Sequence, residues 1–171
     1  MGEKMNNLES DYIFNSALET GLRALCVLIV NPELEFDLQE LTAFDYLVVH
    51  SGDFENGPSS LHPNVSSKTG ELAIRRSLIE RGLLLMEYKK LIKKVSRPEG
   101  FYFQPTDFAS VFIESLTNKY IKKLVERAEW AVTNFNADNG RILDSVLESS
   151  LDNWSKEFQV SRSSLQLGLK E

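Results

Sequence analysis

Apolar side chains recur at helical spacing through most of this chain, and the period changes to that of strands only once. Between positions 71 and 90 one helical face carries Leu72, Ile79, Leu83 and Met86, with Leu78 and Leu85 at its edges. This spacing predicts a long amphipathic helix. Residues 91–95 and 101–104 are short and rich in β-branched or aromatic side chains, and residues 96–100 include Pro and Gly. The pattern therefore predicts a two-stranded hairpin directly after the helix.

Two further helices are predicted before this unit. Apolar residues from Phe14 to Ile29 mark the first, which Asp11 can cap. The second begins at Asp37, where Glu40 three residues later completes a capping-box pattern. Three helices followed by a hairpin is the order of a winged helix, whose third helix and wing form the usual contact surface. We therefore predict a mainly α fold with a winged-helix-like core of three helices plus a β-hairpin wing.

Residues after the hairpin predict a C-terminal helical extension. Asp107 caps a short helix with Phe108 and Val111 turned inward, and Thr117 caps a longer one with Arg127 on its outer side. A last helix covers residues 142–158. The predicted division is a flexible N-terminus at 1–10, a winged-helix-like domain at 11–107, helices packed on it at 108–158, and a tail at 159–171. The apolar tail either docks on another chain or is a frayed terminus.

Positive charge is concentrated in the predicted third helix and hairpin. Eight basic and two acidic residues lie between positions 75 and 97, so this window carries +6 while the whole chain carries −6 at pH 7. The eight candidates for contact with DNA or a partner are Arg75, Arg76, Arg81, Lys89, Lys90, Lys93, Lys94 and Arg97. The alternative is that these side chains only solvate a helix face and an edge strand, where Lys also discourages aggregation.

A loop from residue 52 to 69 is rich in Gly, Pro, Ser and Asn and is longer than compact domains usually contain. Such a loop is either a contact element or disordered. The candidate partner contacts in it are Pro58, Leu61, His62 and Pro63. His50 and His62 lie near Asp45 and Asp53 in sequence, but their spacing fits no known ligand pattern, so we predict no metal site.

Composition restricts the class of protein. A chain of 171 residues with 42% hydrophobic content can bury one substantial core. The single cysteine, Cys26, lies in an apolar helical run, which predicts a small core residue and favours an intracellular location. The longest apolar run, residues 24–30, is too short to span a membrane. We expect a soluble cytoplasmic protein with no membrane contact.

No motif for catalysis is visible in the sequence. The chain has no Gly-rich phosphate loop, serine elbow, zinc-ligand spacing or HExxH motif. We therefore predict no catalytic residue, no cofactor and no metal. The residues alone favour a binding module with an acidic N-terminal body, because eleven acidic and two basic side chains lie between positions 1 and 55.

Several runs of residues resemble a known family. They are FNSALETGLRALCVL at 14–28, LQELTAFDYLVVHSGDF at 38–54, SLHP at 60–63, GEL at 70–72 and IERGL at 79–83. These runs resemble the middle component of three-component ABC-type conflict systems, which include Lamassu anti-phage defence and its small third subunit. The resemblance covers about residues 13 to 135.

The resemblance implies a non-catalytic subunit that assembles with an SMC-like ATPase and an effector, commonly a nuclease. The leading hypothesis is an adaptor that bridges these two partners in bacterial anti-phage defence. The alternative is a DNA-binding winged-helix sensor or regulator acting through the basic helix and wing. Both can hold if the basic face meets DNA only within the complex.

Overall fold

The protein is described by a computed structural model that covers residues 16–63 and 68–136, with the side chains of the third helix from residue 74 onward. The helices are α1 (Ala17–Val30), α2 (Leu38–Val49), α3 (Lys68–Tyr88), α4 (Asp107–Ser115) and α5 (Lys119–Phe135). The strands are β1 (Phe36–Asp37), β2 (Ile92–Arg97) and β3 (Gly100–Pro105), and residues 51–53 form a short 3₁₀ turn. The predicted last helix, the tail and the N-terminus at 1–10 lie outside the described residues.

The predicted fold class is confirmed, because the described residues are mainly helical and a hairpin follows the third helix. The hairpin is tighter than predicted: Arg97 pairs with Gly100, so only residues 98 and 99 form the loop. Gly100 has a φ of +146°, a backbone conformation that residues other than glycine rarely adopt. The glycine of the predicted turn is therefore the first residue of β3, and its backbone conformation allows the chain to reverse direction there.

The short strand β1 was not predicted. It pairs with β3 in an antiparallel sheet of order β1-β3-β2, with Phe36 opposite Phe103 and Asp37 opposite Tyr102. A strand of two residues is too short to show the alternation of apolar and polar positions by which strands are found in sequence. It attaches the hairpin to the segment between α1 and α2.

The predicted capping box at α2 is confirmed. The Glu40 amide donates to Asp37 Oδ1 and the Asp37 amide donates to Glu40 Oε2, each at 2.8 Å. Asp37 is thus both the last residue of β1 and the N-cap of α2. The sheet and the start of the second helix share one residue.

Three other predicted caps were wrong. Thr106, not Asp107, is the N-cap of α4, and its side chain makes no capping bond. Ser16, not Asp11, caps α1, and Asn118, not Thr117, caps α5. In the last two cases the side-chain oxygen accepts from the amide three residues later, at 3.2 Å for Ser16 and 2.9 Å for Asn118. Several capping residue types lie close together at both starts, so the sequence indicates a helix start without fixing its residue.

The core lies between α1, α2 and α3, with α5 packed on α1 and α2. The predicted inner residues of α3 that are described, Ile79, Leu83 and Met86, are fully buried. The apolar stripe of α5 is also buried and comprises Ile121, Leu124, Ala128, Ala131 and Phe135. None of the helices within residues 16–63 and 68–136 combines the length and apolarity needed to cross a bilayer.

Three predicted side-chain orientations in α4 and α5 were wrong. Phe108 and Val111 of α4 are exposed, because α4 instead buries Ala109 and Ile113, four residues apart on the other side. Arg127, predicted on the outer side of α5, is buried because it hydrogen-bonds to the loop at Ser59. Periodicity gives an apolar face but does not show which residues a neighbouring element will cover.

Helices α1 and α3 approach each other at a pair of glycines. A Cβ atom added to Gly82 would lie 2.5 Å from the amide nitrogen of Gly21 and 2.9 Å from its Cα. Both contacts are to backbone, which cannot move aside as the end of a side chain can. The close approach of the first and third helices therefore requires glycine at this position.

We expect Gly82→Ala to destabilise the protein by about 2 kcal/mol, the usual cost of adding a methyl group to a filled core. The sign of this change in stability is informative, because helix propensity alone favours Ala over Gly by about 1 kcal/mol and would stabilise the protein. Urea unfolding measures the change, and Ser77→Ala on the exposed side of α3 is the control. A Gly82→Ala protein as stable as the wild type would contradict the close contact.

Candidate interaction surface

The structure separates the eight predicted contact residues into an exposed group and one buried residue. Seven are exposed: Arg76, Arg81, Lys89, Lys90, Lys93, Lys94 and Arg97. Arg75 is only 4% exposed and points into the protein. The candidate surface therefore consists of the outer side of α3 and the hairpin, without Arg75.

Arg75 belongs to a buried ion-pair network. Its Nη1 donates to Asp45 Oδ2, and Arg23 donates to the same carboxylate from Nε at 2.5 Å and from Nη2 at 3.2 Å. Arg23 and Asp45 have no exposed side-chain surface. Because the three residues come from α1, α2 and α3, one carboxylate joins all three helices of the core.

The two arginines hold Asp45 in its charged form. Burial by itself raises the pKa of the Asp45 carboxyl, but Arg23 and Arg75 together outweigh it, so the pKa lies below its ordinary value. A depressed pKa means that the charged form stabilises the fold. This contribution is present above about pH 4, the ordinary pKa of Asp, and is lost as the pH falls through the lower native value.

Arg97 is used within the fold, at the end of β2. Its Nε and Nη2 donate to the two carboxylate oxygens of Glu35 at 2.8 and 3.0 Å. This two-bond contact lowers the pKa of Glu35, mainly through the hydrogen bond from Arg97. Arg97 therefore links the end of the hairpin to the residue before β1 and contributes less positive charge to the surface than a solvated arginine.

Four lysines remain where α3 turns into β2, and we call Lys89, Lys90, Lys93 and Lys94 the lysine corner. No carboxylate of the described residues lies within 4 Å of their ammonium groups, and the same holds for Arg81. Lys94 Nζ lies 4.2 Å above the centre of the Phe101 ring. The positive charge that is available to another molecule is thus concentrated at one end of α3.

Lys90 occupies a position that usually belongs to glycine. Its φ is +60°, and the amides of Lys90 and Leu91 donate to the carbonyls of Glu87 and Met86 to close the helix. Helices that end this way usually carry Gly there, because any Cβ costs about 1 kcal/mol in this conformation. Strained residues of this kind are frequent at functional sites.

Apolar side chains are also exposed on α3. Ile74 is 66% exposed, Leu84 60% and Tyr88 85%, and together with Arg81 they form what we call the outer stripe. These apolar residues were not predicted as contact residues. The available signal was that Leu84 and Tyr88 lie outside the apolar face predicted for the same helix.

The loop candidates are mostly held within the fold. The amides of Leu61 and His62 both donate to the Val49 carbonyl, at 2.9 and 3.1 Å. Leu61 packs against the core, Pro58 is half-buried, and Pro63 is the exposed member of the four candidates. Three of the four candidate contacts in this loop are therefore at least partly buried by the fold.

His62 and Arg127 fasten this loop to α5. Tyr120 donates from its hydroxyl to Glu19 Oε1 at 2.8 Å, and its oxygen lies 3.0 Å from His62 Nε2. Arg127 Nη2 donates to Ser59 at 3.1 Å (carbonyl) and 3.2 Å (hydroxyl). Burial, followed by the bond to Glu19, raises the pKa of Tyr120. Through these contacts His62 links the loop to α1 and α5.

Cys26 is fully buried in α1, and burial raises its pKa to about 12. A thiol in this state is a poor nucleophile at neutral pH. Within residues 16–63 and 68–136, no three His, Cys, Asp or Glu side chains are grouped so that they could hold a metal ion.

We expect Asp45→Asn to destabilise the protein by about 3–5 kcal/mol, because it removes the negative charge that the buried Arg23 and Arg75 share. Urea unfolding at pH 7 measures this loss. Glu35→Gln, which removes an exposed carboxylate from Arg97, is the matched control and should change stability far less. Equal effects of the two substitutions would show that the buried network is not what holds the three helices.

Comparison with known families identifies one match. Residues 13–157 match the family model described as MC2, the ABC-three component (ABC-3C) system Middle Component 2. The matched range covers more than four-fifths of the chain and includes α1 to α5. The comparisons with curated proteins and with solved structures gave no match.

Proposed function

We propose that this chain, which belongs to the family of Middle Component 2 of ABC-three component systems, is a non-catalytic adaptor between an SMC-like ATPase and an effector. A middle component is one subunit of a multicomponent system, so the other components are its partners. The effector we propose is a nuclease, and the setting is cytoplasmic anti-phage defence of the Lamassu kind. The adaptor holds the effector inactive until the ATPase engages DNA.

The observation that carries this proposal is the combination of apolar and cationic side chains exposed on α3 and the hairpin. Leu84 and Tyr88 are large and exposed, and the lysine corner follows directly. Protein interfaces combine apolar anchors, often aromatic, with a charged rim. Within residues 16–63 and 68–136 other side chains form the core, so this surface is the candidate for contact with a partner subunit.

We also propose that the core is a winged helix. Support comes from the order of the elements and from β1, which lies between α1 and α2 and pairs with the outer side of the hairpin. In this assignment α3 and the hairpin are the contact elements. The fold assignment favours these elements as the binding surface, and the partner has to be inferred from the residues on that surface.

DNA binding is the second candidate, and the lysine corner favours it. Four lysines without a carboxylate within 4 Å among the described residues suit contacts with phosphates. The net charge of −6 opposes it, because an acidic protein is poorly steered toward DNA. We therefore rank direct DNA binding below protein contact.

Co-expression with the products of the neighbouring ATPase and effector genes should give a complex that survives about 500 mM salt. Exposed ion pairs are heavily screened at that ionic strength, whereas buried apolar anchors persist. Size-exclusion chromatography at low and high salt measures the complex, with each component expressed alone as the control. A protein that stays a lone monomer beside both partners at low salt would overturn the adaptor proposal.

Any DNA binding by the isolated protein should be weak and strongly salt-dependent. If the four lysines neutralise about four phosphates, affinity falls about a hundredfold between 50 and 200 mM salt. Fluorescence anisotropy with a labelled duplex measures it. Charge reversal at Lys89, Lys90, Lys93 and Lys94 should abolish the binding, and a reversal variant that binds as before would place the DNA site elsewhere.

A further inference from the structure

The outer stripe of α3 has the spacing of one side of a helix pair. Ile74, Arg81 and Tyr88 are seven residues apart, and Leu84 lies between the last two. Residues at this spacing share one side of a helix, as the a and d positions of a coiled coil do. From Ile74 to Tyr88 the stripe is about 21 Å long at a rise of 1.5 Å per residue.

The opposite side of α3 is fully occupied by the protein's own core. Ile79, Leu83 and Met86 are buried there, and Arg75 is bound to Asp45. The contacts that fix α3 therefore do not involve the outer stripe. In the described residues, the three apolar members of the stripe keep between 60% and 85% of their surface exposed.

We propose that the outer stripe is the docking site for an acidic amphipathic α-helix of a partner subunit. The inference rests on the adaptor function and names the chemistry of one partner. Apolar residues of the partner helix, repeated every seven positions, pack against Ile74, Leu84 and Tyr88. A carboxylate of the partner faces Arg81, and further carboxylates lie at the end of the helix that meets the lysine corner.

Charge complementarity selects this occupant. Arg81 has no carboxylate within 4 Å among the described residues, and the four lysines of the corner are in the same state. A partner that covered the apolar residues without supplying carboxylates would bury or crowd these cations at a cost. An acidic helix supplies both the apolar surface and the charge.

The apolar residues argue against DNA as the occupant of the stripe. Contacts to phosphates come from charged and polar side chains, and base edges are read mainly by hydrogen bonds. Three exposed apolar residues at helix-pair spacing fit the groove of another helix better than a DNA groove. Binding of DNA to the stripe is therefore the alternative result that the cross-linking experiment below can detect.

The strained Lys90 supports a contact at the end of the stripe. Glycine would suit its φ of +60° better, so lysine at this position carries a conformational cost. A role for its ammonium group in holding an acidic partner explains this. Lys90→Gly should therefore leave the protein at least as stable while weakening the complex.

Substitutions on two exposed surfaces test the site. We expect Leu84→Glu and Arg81→Glu each to lower the affinity of the chain for its partner subunit at least about tenfold relative to the wild type. Each substitution places a negative charge against the acidic helix. Val111→Glu, at an exposed apolar residue of α4, is the matched control and should change affinity less than about twofold. Urea unfolding of every variant shows whether the fold is intact.

Cross-linking from the stripe identifies the occupant. Ser77→Cys places a single accessible thiol on the exposed side of α3, since Cys26 is buried. A photoactivatable cross-linker on this thiol should capture a partner peptide that is rich in Glu and Asp and has apolar residues every seven positions. Capture of DNA, or of a peptide without that pattern, overturns the proposal.

The two proposals fail in different ways. If the wild-type chain forms no complex with the other components, the adaptor function is wrong and the docking site falls with it. If the complex forms but tolerates both Leu84→Glu and Arg81→Glu, the adaptor function stands and the docking site is wrong. Loss of binding by Val111→Glu alone would move the interface to α4.

Discussion

The arrangement of the three core helices depends on one buried carboxylate. Asp45 lies on α2 and binds Arg23 from α1 and Arg75 from α3, so the network fixes the rotation of α3 about its own axis. With Arg75 turned inward, Ile79 and Leu83 follow on the same side and enter the core. The residues on the exposed side of α3 include those of the outer stripe, so the inward orientation of Arg75 helps to determine which residues of this helix a partner can reach.

The sequence is most informative where a pattern extends over several turns or uses a specific pair of residues. The long α3, its inner face and the Asp37–Glu40 capping box could all be predicted from local patterns. Arg75 could not, because a charged residue in an amphipathic window is ordinarily exposed and its partner lies thirty positions away. The available hints were Asp45 and Arg23, each placed within an apolar helical run.

The candidate surface was predictable in part for the same reason. The sequence locates the positive charge between residues 75 and 97 but cannot show which of those side chains the fold itself uses. Glu35 binds Arg97, and Asp45 binds Arg75, which leaves the lysine corner, Arg76 and Arg81 as the other exposed candidates. The long loop illustrates the converse, since its composition is that of a mobile contact element whereas Leu61 and His62 are held by the Val49 carbonyl.

The double role of Asp37 couples the hairpin to α2. Asp37 pairs with Tyr102 of β3 and its side chain caps α2, while Arg97 at the loop end of the hairpin binds Glu35. These contacts join the hairpin to β1 and to the first turn of α2, which ends at Leu41, and the buried Asp45 lies four residues further along the same helix. Movement of the hairpin relative to the core would therefore break the pairing of β1 with β3 or shift the first turn of α2.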